Sequence, residues 1–277
     1  MNIAKLTRRT LTYVMLFVFL ICALFPIYWI FITSIKSQLE IYNIVPTFWP
    51  KKIVWTSYVT IFSSPNFVAS LRNSLFVATV VSFLTIGVSA FAAYAISKLK
   101  FRGRKAMSKS ILYTYLMPRT VLFIPFYILV CKIGLNNNTF AMVLLYPTFT
   151  IPYATWMLIS YFGSIPKELE EAAVIDGCSK VGAMLRVIFP LSLPGIVSTM
   201  IFSFTLCWCE YLYALVVLTD EMSRTLPLAL SDMIVADAFA WGPLMAGAMV
   251  ATVPVTIMYM FASRYLISGM TLGGVKG

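Results

Sequence analysis

Two charged side chains interrupt the apolar stretches of this chain, and they are its first candidates for chemistry. Arg119 lies in YLMPRTVLFIPFY, directly after Pro118, and Glu210 lies in LCWCEYLYAL. A charge within hydrocarbon costs about 2.5–3.5 kcal/mol on insertion scales, so each should face a cavity or a partner. We therefore expect one of two roles for Arg119. Either it contacts an acidic or hydroxyl-rich substrate, or it pairs structurally with Glu210 or with a second subunit.

The other residue types that support catalysis or metal binding are scarce. The chain has no histidine, and its five cysteines have no CxxC spacing: Cys22, Cys131, Cys178, Cys207 and Cys209. No close acidic pair lies in an apolar run, and there is no GxxxxGK[ST] nucleotide motif. We expect no catalytic residue, no metal site and no cofactor bound by this chain. A membrane-embedded enzyme is disfavoured on the same grounds.

The composition indicates that the elements carrying these charges lie in lipid. Apolar residues make up 60% of the 277 residues, charged residues only 11%, and the mean hydropathy is +0.88. A soluble domain carries roughly 25% charged residues. The net charge of +11 is concentrated in runs such as KLKFRGRKAMSK, beside an apolar segment, where anionic lipid attracts it. Membrane lipid is therefore the expected partner of this basic excess, and nucleic acid is not.

Six apolar segments are long enough to cross a bilayer, which needs about 20 helical residues. They cover approximately residues 12–33, 73–96, 110–131, 139–161, 193–218 and 243–267. Because every backbone group must be satisfied within its own segment in hydrocarbon, an all-α membrane protein is predicted. Most of the 21 lysines and arginines fall on the side of the N-terminus, which predicts that both termini are cytoplasmic.

A polar insert of about residues 162–192 separates the fourth and fifth spans. In PKELEEAAVID, Pro166 suits a first helical turn, and the early glutamates favour the positive end of the helix dipole. Gly177 can take the left-handed conformation that ends a helix. Ser179 can cap a second helix, SKVGAMLRVIF. The insert is therefore predicted to be two short helices at an angle, shaped to dock against another protein.

This insert resembles the EAA loop of ABC importer permeases. The matching residues are Glu171-Ala172-Ala173, then Gly177, then Val187-Ile188-Phe189-Pro190, with Val187 and Phe189 departing from the usual Ile-x-Leu-Pro. The run from Trp208 to Leu212 resembles the Trp-Asn-Glu-Tyr-Leu run of carbohydrate permeases, with Cys209 in place of Asn. The ending, with Arg264-Tyr265 and Val275-Lys276-Gly277, resembles the tail of the maltose-transporter type.

The resemblance implies a type I ABC importer permease, a single transmembrane domain over residues 1–277, in a bacterial or archaeal cytoplasmic membrane. It would import a carbohydrate, an oligosaccharide that Arg119 suggests is acidic. Its partners would be a second homologous permease, an ATPase dimer that binds ATP and Mg, and an extracytoplasmic solute-binding protein. The ATPase would receive the coupling residues Glu171, Ala172, Ala173, Asp176 and Gly177. The C-terminal tail would reach the ATPase dimer interface.

The substrate pathway implied by a sugar ligand would combine the two intramembrane charges with aromatic rings. The candidates are Arg119, Glu210, Tyr115, Trp208 and Tyr211, with Tyr127 and Tyr153 as further rings. Packing within the spans is the competing role for each ring. Two other functions remain open at this point: a permease for an amino acid, peptide or polyol, and a secondary transporter. The latter is expected to show internal repeats and a coupling acid, and no convincing repeat is present.

Overall fold

The structure, a computed structural model, describes residues 3–234 and 240–273, and the side chains of residues 9–234 and 240–263. Within those residues the regular elements are all helical. The first eight helices are α1 Ile3–Ser34, α2 Gln38–Ile41, α3 Thr56–Ser63, α4 Pro65–Lys98, α5 Arg104–Leu116, α6 Arg119–Lys132, α7 Phe140–Leu145 and α8 Pro147–Ser164. The rest are α9 Lys167–Ile175, α10 Lys180–Ala183, a π-helical turn Met184–Ile188, α11 Phe189–Leu191, α12 Leu193–Trp208, α13 Leu212–Val217, a 3-10 turn Glu221–Ser223, α14 Leu226–Asp232 and α15 Trp241–Gly273.

Four of these helical stretches are long and apolar enough to cross a membrane. They are Arg9–Ser34, Pro65–Lys98, Phe140–Ser164 and Trp241–Ser263. Two further pairs pass the same test but are bent, α5 with α6 by 90° and Lys180–Leu191 with α12 by 80°. Counting each bent pair as one span gives six, in agreement with the hydropathy of the sequence.

Proline explains the sharper of the two bends. Pro118 is the residue before α6, and the preceding Met117 is extended, with φ −65° and ψ 134°. The proline ring disfavours a helical conformation in the residue before it, so α5 ends there. Pro26, Pro125, Pro152 and Pro254 lie inside helices that continue past them. Proline therefore interrupts the third span, whereas at these four positions it removes only single backbone bonds.

The residues group into two compact units. The first comprises Met1–Val68 and Leu230–Val253, and the second comprises Ala69–Ala229 and Pro254–Gly277. In the first unit, the chain after α1 folds back on itself. The N–H of Val54 donates to the carbonyl of Ile35 at 2.8 Å, and the Glu40 carboxylate accepts from the Thr47 hydroxyl at 2.6 Å and from the N–H of Lys51 at 3.1 Å.

In the second unit, α8 and α12 approach closely through a glycine. A Cβ at Gly195 would lie 2.3 Å from the ring of Tyr161, so only glycine allows this contact. Small residues at helix interfaces have this effect in membranes, where close packing replaces the hydrophobic driving force. Hydroxyl groups join α4 to α8 as well, because the oxygens of Thr85 and Thr150 lie 2.7 Å apart in the buried interior.

Candidate functional site

The first helix of the polar insert forms as predicted. Helix α9 runs from Lys167 to Ile175, with Pro166 immediately before it and with Glu168 and Glu170 in its first turn. Carboxylates at this end interact favourably with the unpaired N–H groups and the helix dipole. The local sequence is therefore sufficient to start the helix without a side-chain cap.

Gly177 ends α9 in the left-handed conformation, with φ +91°. The N–H of Cys178 donates to the carbonyl of Ala173, and the N–H of Gly177 to that of Val174, both at 3.0 Å. These two bonds define the Schellman motif, which satisfies the last carbonyls of a helix. Ser179 then begins the next helix, its hydroxyl accepting from the N–H of Gly182 at 3.1 Å. The residue that ends the first helix and the residue that caps the second were both predicted from the sequence.

The candidate coupling residues divide between an outer face and an inner face of α9. Glu171 and Ala172 are exposed on the helix, as are Asp176 and Gly177 beyond its end, whereas Ala173 is buried. Ile175, one turn after Glu171 and Ala172, leaves 85% of its surface exposed. Leu169 and Val174 are also partly exposed, at 44% and 42%, so α9 presents several apolar side chains to its surroundings.

The second helical stretch of the insert is anchored in the interior of the unit. Met184 and Ile188 belong to one buried cluster with residues of α4, α8 and α12: Ile86, Ala90, Ala93, Tyr94, Leu158, Phe162 and Ile196. Met184 is 1% exposed and Ile188 is 0% exposed. Because interiors are densely packed, a displacement of this stretch must move the helices around it.

Two side chains near the end of α4 tie the insert to that helix, and sequence reasoning missed both. The Tyr94 hydroxyl lies 2.5 Å from Oε1 of Glu170 and 3.1 Å from the carbonyl oxygen of Lys180. The Lys98 ammonium donates to the carbonyl of Ile165 at 2.6 Å. Tyr94 and Lys98 are four residues apart, which places them on one helix face. In the sequence, this four-residue spacing next to the basic run was the feature that could have indicated a contact with the insert.

Glu210 is 9% exposed and lies at the break between α12 and α13. Its carboxylate accepts from the Tyr146 hydroxyl at 2.9 Å and from the N–H groups of Tyr213 at 2.9 Å and Ala214 at 3.4 Å. The carboxylate thus satisfies the donors that open α13, as an N-terminal cap does. This arrangement gives a buried charge hydrogen-bonding partners.

Arg119 is the first residue of α6, and its guanidinium carbon lies 4.5 Å from the centroid of the Phe149 ring. This is a cation–π geometry. Its backbone carbonyl accepts from the Tyr213 hydroxyl at 3.2 Å. The described contacts of Arg119 and Glu210 do not include each other. Three aromatic rings link the two charged groups. The ring of Phe149 contacts the rings of both Tyr146 and Tyr213.

The aromatic candidates fall into separate groups. Tyr115 contacts Tyr153, with ring centroids 5.5 Å apart, and Tyr153 stacks on Phe202 at 4.2 Å. Trp208 is buried and stacks on Phe204, whereas Tyr211 is partly exposed. The structure therefore brings Arg119 and Glu210 to one aromatic group and places Tyr115 in another. Phe149, which underlies Arg119, and Tyr146, which binds Glu210, were not singled out in the sequence.

Two remaining predictions concern the C-terminus and metals. The side chains of Arg264 and Tyr265 and the residues Val275-Lys276-Gly277 lie outside those described, so the predicted tail contact stays a prediction. Among the described residues, no group of three or more His, Cys, Asp or Glu side chains is arranged to hold a metal ion.

Comparison with known proteins gives matches over almost the whole chain. A family model described as "Binding-protein-dependent transport system inner membrane component" matches residues 3–272. The chain is 35% identical over 276 residues to the inner membrane ABC transporter permease protein YcjP of Escherichia coli, covering 98% of this chain and 99% of that protein. It is 32% identical over 281 residues to the trehalose/maltose transport system permease protein MalG of Thermococcus litoralis, covering 99% of each.

A solved structure shares the fold. A chain of a bacterial ABC transporter involved in the import of the acidic polysaccharide alginate superposes with a TM-score of 0.78 at 25% identity. The match covers 96% of this chain and 98% of that one.

Proposed function

This chain belongs to the family of inner membrane components of binding-protein-dependent transport systems, and we propose that it is the subunit through which ATP hydrolysis drives carbohydrate import. As an ABC transporter permease it is a multi-pass, non-enzymatic membrane subunit. A secondary transporter is thereby set aside. The proposal treats residues 1–277 as one permease domain with both termini in the cytoplasm.

The observation that carries the coupling role is the division of the insert into an exposed helix and an anchored one. Glu171, Ala172 and Ile175 are available on α9, while Met184 and Ile188 are packed among three membrane helices. A partner that moves the exposed face would transmit that motion through a dense interior. The partner is an ATPase dimer that binds ATP and Mg, and Asp176 and Gly177 complete the surface that it contacts.

The experiment that tests coupling replaces Gly177 by valine. No heavy atom of this chain lies within 4 Å of a Cβ built at Gly177, so within the chain the substitution acts through the backbone. A β-branched residue at φ +91° is strained by about 1–3 kcal/mol. In proteoliposomes, Gly177→Val should hydrolyse ATP without transport, or should fail to retain the ATPase during purification, with the spans still inserted.

Gly163→Val is the matched control, because Gly163 also has open space around it but lies inside α8 without a positive φ. This variant should transport normally. Normal coupled transport by Gly177→Val would overturn the assignment of the coupling surface.

The substrate class rests on two supports. The relative from Thermococcus litoralis is named for trehalose and maltose transport, and the structural relative imports an acidic polysaccharide. In this chain, Arg119 lies at a helix break in the membrane, over an aromatic ring that belongs to a larger aromatic group. We infer an oligosaccharide that carries acidic groups. Tyr115, Trp208 and Tyr211 are the other residues proposed for its pathway. Glu210, the fifth candidate, is proposed to hold the helix break beside that pathway, because its carboxylate is occupied by hydrogen bonds within the chain.

The remaining partners follow from the family name and from the subunit composition of such transporters. A binding-protein-dependent system requires an extracytoplasmic solute-binding protein that delivers the substrate. We propose that the chain also pairs with a second, homologous permease. Helix α1 is consistent with a lipid or protein partner along its length, because its apolar side chains from Leu11 to Leu24 are largely exposed.

A further inference from the structure

The segment that connects α1 to α4 exposes a series of large apolar side chains. Six of them, each with half or more of its surface exposed, are Ile44, Val45, Trp49, Trp55, Val59 and Phe62. All belong to the first unit. Exposed apolar surface of this kind, with polar residues around it, marks a site of contact with another protein or with a membrane. We refer to residues 44–62 as the apolar segment.

The beginning of the apolar segment folds back along the end of α1. The rings of Trp29 and Phe48 contact each other, with centroids 5.8 Å apart, and the Tyr28 hydroxyl donates to the carbonyl of Phe48. Tyr28 precedes the last residue of α1, Ser34, by about 9 Å along the helix, at a rise of 1.5 Å per residue. Phe48 therefore lies beside the stretch that is apolar enough to cross a membrane, Arg9–Ser34, and not beyond its end.

The end of the apolar segment is α3, which has three different faces. Side chains spaced three or four residues apart share one face of a helix. The three sets are a buried pair, Ser57 and Ile61, an exposed apolar stripe, Trp55, Val59 and Phe62, and an exposed polar stripe, Thr56, Thr60 and Ser63. The two exposed stripes differ by one residue, which is about 100° around the helix axis. One face packed on the protein, one apolar and one polar are what a helix needs at a boundary between hydrocarbon and water.

The residue types of the apolar segment favour lipid as the partner. Trp49 and Trp55 are exposed, and the exposed Lys51 and Lys52 lie between them in the chain. Tryptophan is enriched at membrane–water interfaces, and lysine can lay its apolar stem on lipid while its ammonium stays in water. We propose that residues 44–62 bind the membrane surface, with the apolar stripe of α3 at the boundary between lipid headgroups and acyl chains. The apolar side chains outnumber the two lysines, so uncharged lipid is a sufficient partner.

This membrane contact is separate from the proposed coupling and pathway residues. The apolar segment belongs to the first unit, whereas α6, α9 and α12 belong to the second. Because the segment packs on Tyr28 and Trp29, its binding to lipid holds the end of α1 at a fixed depth. The inference depends on neither the substrate nor the orientation of the chain. A complex that imports no carbohydrate would refute the proposed function and leave this contact standing.

The test uses the full chain with its co-purifying subunits in phosphatidylcholine nanodiscs. In a background without the native cysteines, a nitroxide spin label is attached to Val59→Cys on the apolar stripe or to Thr60→Cys on the polar stripe. Power-saturation EPR measures the collisions of each label with oxygen, which concentrates in hydrocarbon, and with a water-soluble nickel chelate. Thr60→Cys is the matched control, because both positions are exposed neighbours on one helix. Ile44→Cys reports on the beginning of the segment, and size-exclusion chromatography checks the assembly of each complex.

The ratio of oxygen collisions to nickel collisions should be severalfold higher at Val59→Cys and Ile44→Cys than at Thr60→Cys. Few collisions with either reagent at Val59→Cys would show that a protein, such as a second permease, covers the apolar stripe, and would overturn the proposal. Frequent nickel collisions at all three positions would place the segment in water and would overturn it equally. If Val59→Cys does not assemble, Trp55→Cys and Phe62→Cys on the same stripe decide between these outcomes.

Discussion

At the scale of single residues, the two intramembrane charges have different surroundings. Glu210 is enclosed, with a tyrosine and two backbone N–H groups on its carboxylate. Arg119 is only partly buried, and the described contact of its guanidinium is the face of the Phe149 ring. A cation on an aromatic face keeps N–H donors for another acceptor. Glu210 therefore has the contacts of a structural charge, and Arg119 those of a group that can receive a ligand.

Arg119→Gln tests the ligand role directly. Hydrogen bonds to charged groups contribute about 1.5–3 kcal/mol, so uptake of an acidic oligosaccharide should fall about ten- to a hundredfold. Uptake of a neutral oligosaccharide should change much less. Both are measured in proteoliposomes with the intact complex, whose assembly is checked by size-exclusion chromatography. Arg72→Gln, at an exposed arginine, serves as the control. Unchanged import of the acidic substrate by an assembled Arg119→Gln complex would rule out the role.

Tyr146→Phe tests the structural role of Glu210. The substitution removes the 2.9 Å hydrogen bond and leaves Oε2 with the longer contact to the Ala214 N–H. A buried carboxylate that loses one partner should destabilise the protein by about 1–3 kcal/mol, measured as unfolding in mixed micelles. Tyr13→Phe, at a tyrosine that is 70% exposed, should change stability by less than about 0.5 kcal/mol. Equal stability of the two variants would contradict this account of Glu210.

At the scale of elements, the polar insert is held at three points. Lys98 binds the carbonyl of Ile165 before α9, Tyr94 reaches Glu170 within α9, and Tyr94 also reaches the carbonyl of Lys180 at the start of α10. The same Tyr94 ring belongs to the buried cluster that holds Met184 and Ile188. Helix α4 therefore contacts both helices of the insert.

Tyr94→Phe separates this hydrogen-bonded link from the packing of the ring. The ring stays in the cluster, but the contacts to Glu170 and Lys180 are lost. Hydrogen bonds to charged groups contribute about 1.5–3 kcal/mol. The ratio of substrate transported to ATP hydrolysed should therefore fall by about tenfold. Both rates are measured on the same proteoliposomes. Tyr113→Phe, at an exposed tyrosine of α5, is the control. An unchanged ratio in Tyr94→Phe would show that packing alone transmits the motion.

At the scale of the whole molecule, the chain combines apolar spans with an asymmetric distribution of charge. Among the described residues, four helices and two bent pairs are long and apolar enough for up to six crossings. The positive-inside rule predicts a cytoplasmic location for the basic run at residues 98–109 and for the basic N-terminal sequence. On that prediction the insert is cytoplasmic, as the proposed contact with an ATPase requires.

This orientation is measurable with single-cysteine reporters in a background from which the five native cysteines are removed. Ser63→Cys and Lys105→Cys place thiols at exposed positions in segments predicted to lie on opposite sides. A membrane-impermeant maleimide should label Ser63→Cys in intact cells and Lys105→Cys only after permeabilisation. The opposite pattern would invert the topology and remove the predicted contact between the insert and the ATPase.

The features that the sequence alone determined are those set by neighbours in the chain. Composition identified the solvent as lipid, and the charged first turn of α9, the Gly177 turn and the Ser179 cap were all predicted correctly. Each of these rests on hydrogen bonds or conformational preferences that span at most five residues. The apolar spans were predictable for the same reason, since a membrane helix satisfies its backbone within itself.

Only the tertiary structure decided which distant groups meet. Glu210 pairs with Tyr146, 64 positions away, and Tyr94 with Glu170, 76 positions away. The 90° angle between α5 and α6 was likewise not predictable, although Pro118 accounts for the break at this point. Local patterns state which residues are polar and which are helical. The packing of whole helices determines which of those polar atoms find partners.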